Sequence, residues 1–171
     1  MAGDGIKLTS PREGVFFDIS GKGRGLISWT AANSDDAWLA LDRDRDRKVD
    51  DGTELFGNYT PQPSVETPHG FLALAESDKA TNGGNDDGVI DARDTIYPRR
   101  LLWQDANHYG TSEAGELHTL ASRDVTSLGL DFKESKRTDE HGNQFRYRAK
   151  VRDAKGAKVA RRAWDVFLAT T

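Results

Sequence analysis

Acidic and amide side chains recur at alternate positions in three stretches of the sequence, a spacing that suits the binding of a hard cation. The first stretch, residues 42–54 or loop one, reads DRDRDRKVDDGTE. A loop that binds calcium turns side-chain oxygens inward from positions 1, 3 and 5, adds the backbone carbonyl of position 7 and closes with a carboxylate near position 12. The predicted ligands of loop one are Asp42, Asp44, Asp46, the carbonyl of Lys48, Asp50 and Glu54.

Loop one departs from that pattern in two places. Arg47 stands at position 6, where the chain takes a positive φ that glycine adopts most easily. Glu54 stands at position 13, so the end of the loop must open by one residue. A solvated run of paired Asp and Arg charges is the alternative interpretation. We favour a cation site because carboxylates at every second position repel one another unless a cation lies between them.

The second stretch, residues 78–94 or loop two, reads DKATNGGNDDGVIDARD. Placing Gly88 at position 6 leaves Gly83, which has no side-chain ligand, at position 1. Asp78 can fill position 1 only if residues 79–84 bulge out of the loop. The predicted ligands are Asp78, Asn85, Asp87, the carbonyl of Val89, Asp91 and Asp94. An ordinary turn rich in Asn, Gly and Asp is the alternative.

The third stretch, residues 105–116 or loop three, reads DANHYGTSEAGE and keeps a twelve-residue spacing throughout. Its predicted ligands are Asp105, Asn107, Tyr109, the carbonyl of Thr111 and Glu116. Because the phenol of Tyr109 is a poor substitute for a carboxylate at position 5, this site is expected to be weak, and a purely structural loop is the alternative. Together the loops predict two to three Ca²⁺ ions, with dissociation constants on the order of 10⁻⁴–10⁻³ M.

Other chemistries find little support in the composition. The 171 residues include no cysteine, which excludes disulfides, thiolate catalysis and thiolate zinc sites. The histidines are dispersed without metal-binding spacing, and surface or capping roles are expected for them: His69, His108, His118 and His141. No nucleophile elbow or phosphate-binding glycine loop is present, and no apolar run is long enough to span a membrane. We therefore predict no catalytic residue in this chain.

The segments around the loops predict the elements that position them. Helices are expected at residues 34–41 and 70–76, after short strands at 15–19 and 26–29. From residue 126 onward apolar and polar residues alternate, which predicts strands joined by hairpin turns at 139–143 and 153–156. Helices first and strands later indicate an α+β fold. We expect one module over 1–171, with a helix-and-loop calcium-binding part at 1–125 and an antiparallel β-meander at 126–171.

Charge is segregated along the chain. Residues 133–164 hold eleven Lys or Arg and four Asp or Glu, a local charge of +7 in a chain whose net charge is −4. Within this segment four basic residues alternate with apolar ones and share one face of a strand: Arg146, Arg148, Lys150 and Arg152. A solvated face that discourages edge pairing is one interpretation. Docking to an acidic surface ligand, or to a neighbouring domain, is the other. Nucleic acid is disfavoured, because that face has no interleaved aromatic residue and the net charge is negative.

Three motifs in a fixed order carry a family resemblance. Residues 41–58, 70–94 and 101–120, together with the upstream GVFFDISGKG, resemble the EF-hand-like calcium-binding region of RTX-type secreted bacterial proteins. That group includes the self-processing module of iron-regulated RTX proteins. The resemblance covers residues 4–130. It implies short helices flanking the calcium loops, and a secreted or cell-surface location as part of a larger protein. Asp4-Gly5, which resembles the end of a further loop, also predicts a fragment of a longer protein.

The resemblance also implies an activity. Self-processing modules cleave an Asp-Pro bond when calcium folds them, and the new aspartyl end can be transferred to a lysine. The five prolines here follow Ser10, Thr60, Gln62, Thr67 and Tyr97, so this chain contains no such bond. We therefore expect a module that folds or is stabilised by Ca²⁺. The alternatives are a self-processing module whose scissile bond lies upstream of residue 1, and an adhesion or interaction module that uses the basic strand.

Overall fold

Short β-strands dominate the fold. The computed structural model describes residues 5–154 and 161–171, so the expectations for Asp4 and for residues 155–156 of the last hairpin turn lie outside it. One α-helix, α1 (Gly70–Ala75), occurs among the described residues. The strands are β1 (Val15–Phe17), β2 (Gly25–Ile27), β3 (Trp38–Ala40), β4 (Val89–Asp91), β5 (Leu101–Trp103), β6 (Leu117–Thr119), β7 (Val125–Gly129), β8 (Lys133–Thr138), β9 (Gln144–Asp153) and β10 (Arg161–Phe167).

The predicted α+β fold, with helices flanking EF-hand-like loops, is wrong. The segment at 34–41, expected to be helical, contains strand β3 instead. The Ser34 hydroxyl accepts a hydrogen bond from the backbone N–H of Asp36 and donates one to its carboxylate. This local side-chain bonding stabilises a turn where a helix would otherwise begin. Strand β3 then gains its stability from pairing with distant residues rather than from local helix propensity.

A three-stranded antiparallel sheet, in the order β3-β5-β6, frames loops one and three. Leu39 of β3 pairs with Leu102 of β5, which in turn pairs with His118 of β6. Loop one begins directly after β3, and an isolated bridge between Ala40 and Leu55 joins its two ends. Loop three connects β5 to β6. Strands therefore border these two loops, where helices were expected.

The C-terminal strands form an antiparallel sheet in the order β10-β9-β7-β4, with β8 also pairing with β9. Alternating apolar residues predicted strands where β7, β9 and β10 lie. Strand β8 was missed because its sequence, KESKRT, is almost entirely polar and exposed and carries no apolar alternation. Ile90 of β4 pairs with Leu128 of β7, which ties loop two directly to this sheet.

Two hydrophobic cores anchor the loops. In the first, the rings of Phe17, Trp29 and Trp103 lie 5.0–5.6 Å from one another, and Val49 of loop one packs against this group. In the second, Ile90 of loop two is fully buried among the following residues: Leu74, Leu102, Leu120, Val125 and Leu128. In the described parts of the chain no helix is long and apolar enough to cross a membrane.

Candidate metal centres

The three loops share one backbone conformation, in which the fourth and sixth positions both have positive φ. The φ values are 67° and 72° at Arg45 and Arg47 of loop one, 57° and 78° at Asp86 and Gly88 of loop two, and 61° and 63° at His108 and Gly110 of loop three. Residues other than glycine rarely take such angles, because the Cβ atom then crowds the backbone. Arg47 nevertheless does so at the position where glycine was expected, so hydrogen bonds within the loop must hold it there.

Those hydrogen bonds start at the first position of each loop. In every case a carboxylate oxygen accepts the backbone N–H of the sixth position. The pairs are Asp42 and Arg47 at 2.9 Å, Asp78 and Gly88 at 2.8 Å, and Asp105 and Gly110 at 2.8 Å. Asp78 thus takes the first position of loop two, where sequence alone allowed it only if residues 79–84 bulged outward.

That bulge is built around two glycines. A 3₁₀ turn at Ala80–Asn82 leads to Gly83, whose φ of 88° lies in the left-handed region. The backbone N–H of Asp86 then donates to the carbonyl of Asp78 at 2.8 Å and closes the bulge. A Cβ atom on Gly84 would lie 2.0 Å from that same carbonyl oxygen. Only glycine fits at this position, so the insertion depends on it.

The middle positions repeat the same pattern. The third-position side chain accepts the N–H of the fifth residue in all three loops: Asp44 from Asp46 at 3.1 Å, Asn85 from Asp87 at 3.2 Å, and Asn107 from Tyr109 at 3.1 Å. The fifth-position carboxylate accepts the N–H of the seventh residue in the two loops that have one: Asp46 from Lys48 at 2.8 Å and Asp87 from Val89 at 3.1 Å. The Tyr109 side chain, at 70% exposure, lies largely in solvent.

The oxygens of loop one converge. One carboxylate oxygen from each of Asp42, Asp44 and Asp46 lies within 4.8 Å of the others. Calcium binds oxygen at 2.3–2.6 Å, so oxygens up to about 5 Å apart can contact one ion. Partial desolvation, and then the nearby Asp46 carboxylate, raise the pKa of Asp50. This loop therefore concentrates negative charge around one point.

The last carboxylate of each loop is buried. Glu54 accepts the N–H groups of Arg43 and Asp50, at 2.8 and 2.9 Å, and burial raises its pKa. Glu116 and Asp94 close loops three and two in the same way, by accepting the N–H groups of Ala106 at 3.1 Å and Asp91 at 2.7 Å. Glu54, the thirteenth residue of loop one, thus accepts loop N–H groups as the twelfth residues of the other two loops do.

Loop two contains the clearest unsatisfied groups. The Oδ1 atoms of Asp78 and Asp94 are buried and have no hydrogen-bond partner among the residues that the structure describes, and the two residues are only 6% and 2% exposed. A buried carboxylate oxygen without a partner is costly, and a bound cation would satisfy it. The residues present therefore fit a metal ion. Beside them, Arg93 contacts Asp87 and Asp91 and lowers the pKa of Asp91.

Contacts that the sequence did not reveal tie the loops to the first core. The indole N–H of Trp29 donates to Asp105 at 2.8 Å, and that of Trp103 donates to Glu116 at 3.4 Å. The backbone N–H of Val49 donates to the Ser112 hydroxyl at 2.8 Å, which links loop one to loop three. No spacing in the sequence signals these pairs, since Trp29 and Asp105 are 76 residues apart.

Only some of the four basic side chains on one face of β9, here called the basic strand, are available to a ligand. The guanidinium of Arg146 lies 4.4 Å from the centre of the Phe167 ring, and that of Arg148 lies 5.8 Å from the Trp164 ring. These two side chains therefore stack on aromatic neighbours in the same sheet. Lys150 and Arg152 remain exposed.

Comparisons with known proteins place the chain in a family. It matches the SPM domain model over residues 1–169, so it belongs to the SPM domain family. It is also 35% identical over 147 residues to the iron-regulated protein FrpA of Neisseria meningitidis serogroup C. That alignment covers 84% of this chain and 13% of FrpA, so the chain spans a small part of the relative's length. The resemblance to modules of iron-regulated proteins is supported; the EF-hand-like description is not.

Proposed function

We propose that this chain is a calcium-binding module whose folded state is stabilised by Ca²⁺. The observation that carries the proposal is the repetition of one hydrogen-bonded loop conformation at three separate places, each beginning and ending with a carboxylate. A single acidic loop is common on protein surfaces. The three loops have positive φ at the same two positions, and each has a nonglycine residue at one or both of them, which indicates a shared requirement.

The chain's own residues prepare each site by orienting oxygens. Backbone N–H groups hold both carboxylate oxygens of Asp42 and of Glu54 in place, and one oxygen of Asp78. The other oxygen of Asp78 has no hydrogen-bond partner among the described residues and is available to a cation. A bound calcium ion carries two positive charges and is coordinated by six to eight oxygen atoms. Loops one and two carry the fuller ligand sets. Loop three, with Tyr109 in solvent, is the weakest candidate, which gives two to three ions in all.

Stabilisation follows from mutual repulsion in the absence of metal. The converging carboxylates of Asp42, Asp44 and Asp46 disfavour the closed loop until a cation offsets their charge. Any ligand that binds only the folded state stabilises it by mass action. Because loop three is bonded to Trp29 and Trp103, ordering of that loop also orders the first core.

The same proposal places the module in a secreted or cell-surface bacterial protein. Two facts support it: membership of the SPM domain family and similarity to an iron-regulated protein of Neisseria meningitidis. Extracellular calcium is millimolar, so sites with dissociation constants on the order of 10⁻⁴–10⁻³ M would be filled there. The module would then be stabilised by calcium only after export, so that its folding would depend on its location.

A second candidate function is calcium-activated self-processing, which the family match favours. On this hypothesis the module folds around calcium and promotes cleavage of an Asp-Pro bond in a longer protein, since this chain contains none. Expression together with the native upstream sequence, followed by addition of calcium, tests it. A discrete shorter product beginning with proline is expected. A chain that stays intact under conditions where calcium binds would rule this function out.

A third candidate is docking of an acidic ligand or neighbouring domain on the basic strand. Exposure of Lys150 and Arg152, unlike their stacked neighbours, supports it. A Lys150→Glu/Arg152→Glu variant should lose retention on an acidic polysaccharide resin at physiological salt. Unchanged retention would contradict this proposal without affecting calcium binding.

The central proposal is tested by metal content, stoichiometry and thermal unfolding of the full chain. We expect two to three equivalents of calcium by calorimetry, and a higher melting temperature in several millimolar CaCl₂ than in EGTA. Identical melting curves in the two buffers, with no binding heat, would refute it. Magnesium chloride at the same ionic strength is the control for nonspecific screening.

A further inference from the structure

A basic side chain occupies part of loop two. The guanidinium of Arg93 lies 2.5 Å from Asp87 Oδ2 and 2.6 Å from Asp91 Oδ2. Its Nε atom donates to Asp91 Oδ1 at 3.0 Å, and its backbone N–H donates to the same oxygen at 2.9 Å. One side chain thus bridges the carboxylates at the fifth and ninth positions of the loop.

Loop one is arranged differently, although it contains more arginines. Its converging carboxylates are those of Asp42, Asp44 and Asp46. Within the described residues, none of these three forms an ion pair with a lysine or arginine. Arg43, the neighbour of Asp42, donates its Nε–H to the carbonyl of Thr53 at 2.7 Å instead. The internal cation is therefore a property of loop two.

We propose that Arg93 acts as an internal counter-cation that competes with calcium for loop two, so that this loop fills at a higher calcium concentration than it would without Arg93. This inference rests on the proposed calcium binding and identifies an affinity-determining residue within it. Calcium and the guanidinium both require the carboxylates of Asp87 and Asp91. Arg93 must withdraw from at least one of them before a metal ion can use it.

Arg93 weakens calcium binding to loop two but does not prevent it. Arg93 is 61% exposed, and ion pairs at such exposure contribute little, so a divalent ion can displace it. Arg93 also makes no hydrogen bond to the buried Oδ1 atoms of Asp78 and Asp94, which stay without partners. Calcium would satisfy those oxygens and the guanidinium does not. Loop two therefore keeps a driving force for metal binding even while Arg93 is in place.

Each loop offers its own reporter of occupancy. The backbone N–H of the sixth position donates to the first carboxylate, so its amide resonance will respond when that carboxylate binds a metal. The reporters are Arg47 for loop one, Gly88 for loop two and Gly110 for loop three. Titrating CaCl₂ into the metal-stripped, ¹⁵N-labelled full chain gives a separate midpoint for each.

In the Arg93→Ala variant we expect the Gly88 midpoint to fall about threefold to fivefold, the range that an exposed ion pair supports, while the Arg47 midpoint stays the same. Arg93→Lys should give an intermediate value, because lysine keeps the charge but cannot span two carboxylates with a planar fork. Arg99→Ala is the matched control, since Arg99 is also exposed and, within the described part of the chain, makes no ion pair with loop two.

The outcomes separate the two proposals. A Gly88 midpoint that is unchanged or higher in Arg93→Ala overturns the role of Arg93 and leaves calcium binding intact. An equal fall in Arg99→Ala also overturns it, because net charge alone would then be the cause. If none of the three amides shows a saturable shift in the unmodified chain, the proposed function itself fails.

Discussion

The indole Nε1 of Trp29 donates a hydrogen bond to Oδ2 of Asp105, 2.8 Å away, in the buried interior of the protein. The same oxygen accepts the backbone N–H of Gly110, which lies in the left-handed region of loop three. A core tryptophan and the turn of a candidate metal loop therefore share one carboxylate oxygen. Any change in the charge of the Asp105 carboxylate will therefore alter its hydrogen bond to Trp29 in the first core.

Trp29→Phe should lower the free energy of unfolding by about 2 kcal/mol, because a hydrogen bond to a charged group is lost and the core is left underfilled. Trp38→Phe is the matched control. The Trp38 ring lies 4.8 Å from that of Trp29, but its buried indole N–H has no hydrogen-bond partner in residues 5–154 and 161–171. Urea unfolding of both variants in calcium measures the difference. Equal losses would show that the bond to Asp105 contributes nothing.

Asp46→Asn should change stability in opposite directions with and without calcium. In chelator the substitution removes one of three converging negative charges, so the variant should be as stable as the unmodified chain or slightly more stable. In calcium the same change removes a charged ligand and should weaken loop-one binding about tenfold.

Thermal unfolding in EGTA and in calcium tests this reversal. Asp131→Asn, which removes an exposed carboxylate outside the loops, is the control. A loss of stability of the same size in both buffers would indicate a purely structural role for Asp46.

Much of the candidate site could be predicted because the residues that form each loop are close together in the sequence. Oxygen-bearing residues at alternating positions must lie near one another once a loop closes, whatever the rest of the chain does. For this reason the first-position role of Asp78 was accessible from the Asn82-Gly83-Gly84 sequence. The ion pairs of Arg93 are equally local, but an arginine among aspartates gives no indication of which carboxylate it will contact.

The bordering elements could not be predicted because their signal is not local. Strands β3, β5 and β6 have three residues each, too few for a periodic pattern to distinguish strand from helix. Trp38 becomes a strand residue through pairing with Trp103, far along the chain. Such pairings, like the bond between Trp29 and Asp105, depend on how the chain folds back rather than on neighbouring residues.

Gly84→Ala should disrupt loop two selectively. The added Cβ would lie 2.0 Å from the Asp78 carbonyl oxygen, so the bulge must shift, at a cost of about 1–3 kcal/mol. The Asp78 carboxylate would then move away from the Gly88 N–H. We expect the calcium midpoint at Gly88 to rise while that at Arg47 is unchanged.

Gly57→Ala is the control for this effect, because a Cβ there would meet no atom within 4 Å. Amide-resolved calcium titration of both variants gives the comparison. A normal Gly88 midpoint in Gly84→Ala would mean that Asp78 does not serve loop two.

Asp165 should make the protein less stable as the pH rises, independently of calcium. Its Oδ1 accepts the Gly70 N–H at 2.7 Å, its buried Oδ2 has no hydrogen-bond partner in the described part of the chain, and burial raises its pKa to about 6. The folded state therefore holds a proton that the unfolded state releases near the ordinary value of 3.8, so this stabilisation is complete below pH 3.8 and is lost through pH 6. Asp165→Asn should exceed the unmodified chain in stability by about 2 kcal/mol at pH 8 and by little at pH 4. Urea unfolding in EGTA across this range measures the difference, and a gap that does not vary with pH would contradict it.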